Sequence, residues 1–385
     1  MRHTALREDV SSLEIRFGNT RVPVLLGTGP RFEQTATDAI RALGADRVFV
    51  VVDALVARLY PDDLRRFAAL GASPGVVFAA PEGERSKTLH VLGEVTEACL
   101  SGGATKRSLV LVFGGGATMN VGGLAAALIY RGLRLCYVPT TLMAQNDVVP
   151  SMKTAINLCD RKNNFGTFHA SSLNVVDTRY LHTLPPQELR AGMGEIVKNA
   201  LVLGGEHFTT AERMLDAHAR GALDDALLAE IVESGIRAKL PALSADAQEA
   251  RAGMIFEYGH TVGHALELCY PAGVLPHGLA ICWGMRCCGY VAARIGLLDS
   301  AGLVRHDALI QRLLPEALPV PLPTVADVMF RVMRDGKRGR AGEAEDECSC
   351  VLLSAVGQPH QTETMLSKFP ATLISDWLRT QGLHG

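Results

Sequence analysis

Four stretches of the chain are apolar almost without interruption: VFVVVD at 48–53, VVFAAP at 76–81, LVLVFGGG at 109–116 and LCYVPTT at 135–141. Runs this short, with no polar face, predict strands buried on both sides, as in a parallel sheet. VGGLAAALIYRG (121–132) is rich in small residues and predicts a helix. Strands alternating with helices predict a doubly wound α/β domain. Near residue 185 the pattern changes. PPQELRAGMGEIVKNALVL opens on prolines suited to a helix start. LLAEIVESGIRAKLPAL, the region 251–295 and VADVMFRVMRD space their apolar residues helically. Few strand signals remain there, apart from the alternating CSCVLL at 348–353. The prediction is an α/β domain over 1–184 and a mostly α-helical domain over 185–385, with RDGKRGRAGEAEDE (334–347) as a mobile polar loop.

A chain of 385 residues, 48% of them hydrophobic, can fill two cores. Its net charge of -2 gives no electrostatic reason to expect nucleic acid or an anionic membrane as partner. Neither the N-terminus, MRHTALREDVSSLEIRFG, nor any later segment has an apolar run of signal-peptide or membrane-spanning length. A cytoplasmic protein is expected. Nine cysteines are scattered without CxxC pairing; Cys287, Cys288, Cys348 and Cys350 read as core thiols.

Two features carry candidate chemistry. The first is GGGATMN after the third strand, a glycine turn into a helix, which lets a backbone approach a pyrophosphate at a helix N-terminus. A tight turn without a ligand explains it equally well. Asp53, at a strand end, can accept from a ribose hydroxyl or cap a helix. Glu84 and Lys87 in PEGERSKTL read, alone, as a surface pair. The second feature is FEYGHTVGHALELCYPAGVLPHG (256–278). His260 and His264 share one helical face, His277 follows a proline-containing break, and a further ligand must come from elsewhere. Glu195, three residues before Lys198, is available. Lys153, Lys162, Lys198, Lys239 and Lys337 each lie beside polar or glycine residues. Several lysines with a divalent cation suit a phosphorylated or polyhydroxylated substrate.

Together these stretches resemble the dehydroquinate synthase superfamily, the sugar phosphate cyclases. The matching segments are PEGERSKTL, GGGATMNVGGLAAALIYRG, VPTTLMAQND, MKTAINLCDRKNNFG, DTRYLHTLP, AGMGEIVKNALVL, EYGHTVGHALE and the DGKRG loop. The resemblance implies an N-terminal Rossmann-like NAD domain, a helical metal-binding domain and a homodimer. It implies one divalent cation, zinc or cobalt, held by Glu195, His260 and His277, with His264 passing protons or standing behind the ligands. NAD contacts carry over to Asp53, Glu84, Lys87, Gly115, Gly116, Asn120, Thr140, Thr141, Lys162, Thr183 and Leu184. Substrate contacts carry over to Asp147, Asn163, Lys198, Lys239 and Lys337, and proton transfer to Lys153, Glu257 and His264.

Cyclases acting on a seven-carbon acid phosphate carry an Arg where this chain has Gly253 and an Asn where it has Glu257. A carboxylate at Glu257 repels a substrate carboxylate. The chain is similar instead to the branch that closes a carbocycle from glucose 6-phosphate at the start of 2-deoxystreptamine aminoglycoside synthesis. That implies transient oxidation at C4, loss of phosphate, re-reduction and aldol closure. The chain departs from that branch at Met119, Thr154, Ile156, Val148 to Pro150, Phe168 to Ala170 and Leu279. A seven-carbon cyclase, a metal-dependent polyol dehydrogenase and a non-catalytic relative stay open as alternatives.

Overall fold

The computed structural model describes residues 10–159 and 161–385. The first nine residues, part of the N-terminal segment read above, lie outside the described residues. The chain divides into two compact units. One runs through Pro185 and includes Asp224–Ile236; the other comprises Pro186–Leu223 and Arg237–Gly385. The returning segment Asp224–Ile236 differs from the expected division, which was continuous from 185 onward. It forms the first turns of a helix that continues into the second unit, so periodicity alone had no break there to mark.

The first unit is built on a seven-stranded sheet in the order β1-β2-β9-β6-β5-β3-β4. The four expected strands are its β3 (Val48–Asp53), β4 (Val76–Ala80), β5 (Leu109–Gly114) and β6 (Arg134–Pro139), all parallel, but β4 is an edge strand that leaves Val77 and Ala79 exposed rather than buried on both sides. Every residue of β3 and β5 is buried, which is why these strands read as unbroken apolar runs. The helices α1 (Pro30–Ala42), α2 (Ala54–Leu59), α3 (Pro61–Ala68), α4 (Leu89–Ser101) and α5 (Gly116–Leu128) fall between the strands in sequence. Three strands were not expected. β1 (Ser11–Phe17) and β2 (Thr20–Gly27) form an antiparallel pair, and β9 (Leu173–Asp177) lies between β2 and β6. β1 alternates, burying Leu13, Ile15 and Phe17. The polar stretch around Lys153 and Lys162 is a separate hairpin, β7 (Lys153–Leu158) with β8 (Arg161–Phe168).

The second unit is mainly helical: α6 (Pro186–Leu203), α7 (Gly205–Ala219), the end of α8 (Asp225–Ala245), α9 (His260–Glu267), α10 (His277–Arg294), α11 (Ser300–Gln311), α12 (Val325–Val332) and α13 (Thr372–Thr380). Two short antiparallel pairs accompany them, β10 (Glu347–Cys350) with β13 (Ser367–Pro370) and β11 (Leu353–Ala355) with β12 (Gln358–Pro359). CSCVLL thus supplies β10 and the start of β11, and Cys287, Cys288, Cys348 and Cys350 are buried. The 334–347 segment is not the loose tether expected. The Arg338 guanidinium donates to the carbonyls of Ala344, Glu345 and Glu347 and folds the loop onto itself. Among the described residues no helix is long and apolar enough to cross a membrane.

Candidate active site

In the first unit the predicted residues gather where the parallel strands end. Open α/β sheets bind ligands beyond the carboxyl ends of their strands, where helix N-termini and backbone N–H groups converge. Asp53 closes β3, Gly115 precedes the first turn of α5 after β5, and Thr140 and Thr141 follow β6. Gly116 opens α5, and Asn120, one turn in, donates to its carbonyl at 2.8 Å. Asn120 Oδ1 accepts from the Ala155 N–H at 3.0 Å, so this side chain ties α5 to β7. At Asp53 the helix-cap alternative is realised. Oδ1 accepts from Leu55 N–H at 2.8 Å, and Oδ2 accepts from Gly83 N–H at 3.1 Å. Asp53 therefore positions the 3₁₀ turn Gly83–Ser86 that carries Glu84.

Glu84 and Lys87 are not the surface pair their spacing suggests. Lys87 is buried, and its Nζ hydrogen-bonds Asn163 Oδ1. Glu84 Oε1 accepts from Asn157 Nδ2 at 2.7 Å and faces Lys162 Nζ at 3.1 Å. The hairpin thus brings Lys162 and Asn163 to Glu84 and Lys87, across more than seventy residues of sequence. Asn157, quoted in the polar stretch but given no role, belongs to this cluster. Thr183 Oγ1 lies 2.7 Å from Tyr60 Oη, on the turn after β9 that leads to Leu184. Asp147 sits half-buried on a π-helical turn, Ala144–Val148, a geometry frequent at functional sites. Lys153 begins β7 with its side chain exposed.

Several of the departures from the expected pattern have packing roles. Met119 and Thr154 are buried, with Thr154 Oγ1 donating to the Thr167 carbonyl. Val148 borders the space over Gly116. His169 Nε2 bonds the Leu133 carbonyl at 2.9 Å. Phe168 is exposed, and nothing in the structure explains it.

In the second unit three helices converge because their backbones nearly touch. A Cβ on Gly278 of α10 would stand 2.7 Å from the Ala191 carbonyl carbon of α6, and one on Gly284 would stand 2.7 Å from the Gly263 nitrogen of α9. Glu195 follows Gly194, His277 precedes Gly278, and His264 follows Gly263. The glycines that allow these crossings therefore adjoin the candidate ligands. Glu195 Oε1 lies 3.5 Å from His277 Nε2 and 3.8 Å from His260 Nε2. The nearest ring nitrogens of His260, His264 and His277 all lie within 4.8 Å of one another. The three imidazoles form one group, with Glu195 facing two of them, and His264 joins because the i, i+4 spacing keeps it on the same face as His260.

The donor set fits a divalent cation. Glu195 is fully buried, yet Oε1 has no hydrogen-bond partner among the described residues. A buried carboxylate oxygen left so is costly unless a cation meets it, and carboxylate with imidazole suits zinc or cobalt. Burial opposes ionisation of Glu195, but Lys198 against Oε2 and the facing imidazoles hold its carboxyl well below the usual range. Burial, then the Lys198 charge, pulls His260 down to about 4, and burial also holds His264 well below the ordinary value. His277 differs. Burial disfavours its charged form, but Glu267 and Glu195 outweigh that and raise it to about 9.

The lysines of this unit cluster beside the donors. Lys198 and Lys239 are buried, with Nζ 5.9 and 5.4 Å from the centre of the Phe256 ring. Such cation–π contacts hold ammonium groups in a dry site. Lys337 Nζ lies 3.4 Å from Glu257 Oε2 and 3.0 Å from Asp335 Oδ2. Phe256, Asp335 and Glu267 join the site without having been among its expected residues. Phe256 and Glu267 stand inside the quoted histidine segment, and Asp335 two residues before Lys337, so adjacency was the available signal.

Family models for the 3-dehydroquinate synthase N-terminal and C-terminal regions match residues 77–191 and 192–338. A 2-deoxy-scyllo-inosose synthase of Streptoalloteichus tenebrarius is 37% identical, covering 95% of this chain and 94% of that protein. One from Streptomyces lividus is 38% identical, over 94% and 93%. Among solved structures, 2-deoxy-scyllo-inosose synthase complexed with carbaglucose-6-phosphate, NAD+ and Co2+ superposes with a TM-score of 0.85 at 30% identity, covering 96% of this chain and 100% of the other. With full-length matches of this kind on both units, the chain belongs to the dehydroquinate synthase superfamily of sugar phosphate cyclases, alongside the 2-deoxy-scyllo-inosose synthases.

Proposed function

We propose that this chain is a lyase that converts D-glucose 6-phosphate to 2-deoxy-scyllo-inosose and phosphate, using NAD and one divalent cation, zinc or cobalt. The observation that carries this reading is the convergence of Glu195, His260 and His277 beside buried lysines, in a chain similar throughout to enzymes of that activity. When bound, NAD supplies a hydride acceptor and donor, and the cation supplies Lewis acidity at an alcohol oxygen.

The chain's own residues do the rest. Glu195, His260 and His277 hold the cation. Asp53, Glu84, Lys87, Gly115, Gly116, Asn120, Thr140, Thr141, Lys162, Thr183 and Leu184 form the NAD site. The ammonium groups of Lys198, Lys239 and Lys337 suit the phosphate and hydroxyl oxygens of the sugar, as charge-assisted donors; Asp147 and Asn163 add polar contacts. Lys153 Nζ and Glu257 Oε2 move protons, with His264 assisting at a ring nitrogen. The protein acts as a homodimer in the first step of aminoglycoside synthesis.

Selection against a seven-carbon acid has a steric basis as well as the Glu257 charge. A Cβ on Gly253 would stand 2.7 Å from the Glu249 side chain, which leaves no room for the arginine that other cyclases carry there. The test is release of inorganic phosphate, with NAD and cobalt present, from glucose 6-phosphate and from the seven-carbon acid phosphate. Release from the first alone is expected, with a carbocyclic ketone detected by mass. Release from the acid alone overturns the substrate assignment.

A further inference from the structure

His277 is gripped at both nitrogens. Its Nε2 faces Glu195 Oε1 at 3.5 Å, and its Nδ1 lies 3.0 Å from Glu267 Oε2. Glu267 ends α9, the helix that carries His260 at its start and His264 in its middle. At seven and three residues from them it lies on the same helical stripe, and its side chain is only 14% exposed. One helix therefore presents two imidazoles toward the cation site and a carboxylate to the far nitrogen of a third. His260 is held differently, with Nδ1 against the Tyr258 backbone carbonyl at 3.2 Å. Two residues after His277 stands the buried Leu279, which offers the ring no polar partner.

We infer that Glu267 is a positioning residue for the cation site. By accepting the Nδ1–H of His277 it fixes the tautomer that leaves the Nε2 lone pair free for a cation, and its charge makes that nitrogen a stronger ligand. A neutral carbonyl does the same for His260 without the charge. The inference rests on the cation reading above, since it assigns Glu267 a role only through His277.

The test is titration of the NAD-loaded, chelator-stripped protein with Co2+, followed by the visible absorption of bound cobalt, in the parent, E267Q and E267L. Replacing such a partner typically weakens metal binding about 10–100-fold. The expected result is a Kd raised about 10-fold in E267Q, which keeps an amide oxygen as acceptor, and about 100-fold in E267L. The cobalt spectrum is altered in both, while the NAD affinity and the far-ultraviolet circular dichroism of the stripped protein stay as in the parent. Should E267L not fold, E267Q alone decides. Variants that bind cobalt within about twofold of the parent, with its spectrum, overturn the role of Glu267 only. A parent that takes up no cobalt overturns the cation reading, and this inference with it.

Discussion

A buried carboxylate stays ionised only where positive charge surrounds it. Glu195 has Lys198 against one oxygen and two imidazoles facing the other. Glu195→Gln keeps the shape and removes the charge; cobalt affinity is expected to fall by at least about 100-fold, checked by titration against a competing chelator. Protons compete for the same site through His277. Its folded value of about 9 lies above the ordinary 6.5. Protonation thus stabilises the metal-free fold, fully below pH 6.5, and that contribution is lost as the pH rises through about 9. A cation needs the neutral ring, so its apparent affinity rises by about tenfold per pH unit across that window, with release of one proton. Calorimetric titrations in buffers of different ionisation heat check this; a flat profile between about pH 7 and 8.5 contradicts it. At Glu257 the expectation concerns turnover. E257Q lowers kcat about 10²–10⁴-fold, as for a lost acid or base, with NAD affinity unchanged. At this scale the histidine segment was legible because three imidazoles lie within eighteen residues. Glu267 was not, since a Glu ending a helix looks like any solvated residue until its partner is seen.

Among elements, α6, α9 and α10 make the cation site, and their glycine contacts set how closely they approach. Gly278→Ala pushes α10 off α6 at the point where His277 and Glu195 meet. Overpacking of this kind costs about 1–3 kcal/mol. A melting point lower by roughly 3–10 °C is expected, together with weaker cobalt binding; scanning calorimetry and the cobalt titration check both. A variant as stable as the parent, binding cobalt equally, contradicts the packing argument. Periodicity was informative where burial was complete. β3, β5 and β6 are covered on both faces and read as unbroken apolar runs. β1 and β2 bury alternate residues and left a weaker trace. The β7–β8 hairpin read as a polar stretch because β8 is mostly exposed and its Lys162 and Asn163 serve the Glu84 cluster. Nor could the sequence reveal that α8 divides its length between the two units, for its pattern is helical throughout.

For the whole molecule, the residues assigned to NAD all belong to the first unit and those assigned to the cation all belong to the second. Neither unit holds the full set. A homodimer is expected in solution, with a light-scattering mass twice the 41.2 kDa of the chain; a monomer under turnover conditions contradicts that assignment. In the proposed reaction an alcohol is oxidised only for the length of one turnover and then restored. A polyol dehydrogenase on the same fold would leave reduced cofactor behind. The most direct test is turnover of glucose 6-phosphate deuterated at C4, with NAD and cobalt. Phosphate release without accumulation of NADH is expected, with a carbocyclic product that keeps the deuterium. Deuterium collecting in the nicotinamide pool, or NADH rising in step with substrate consumed, contradicts it.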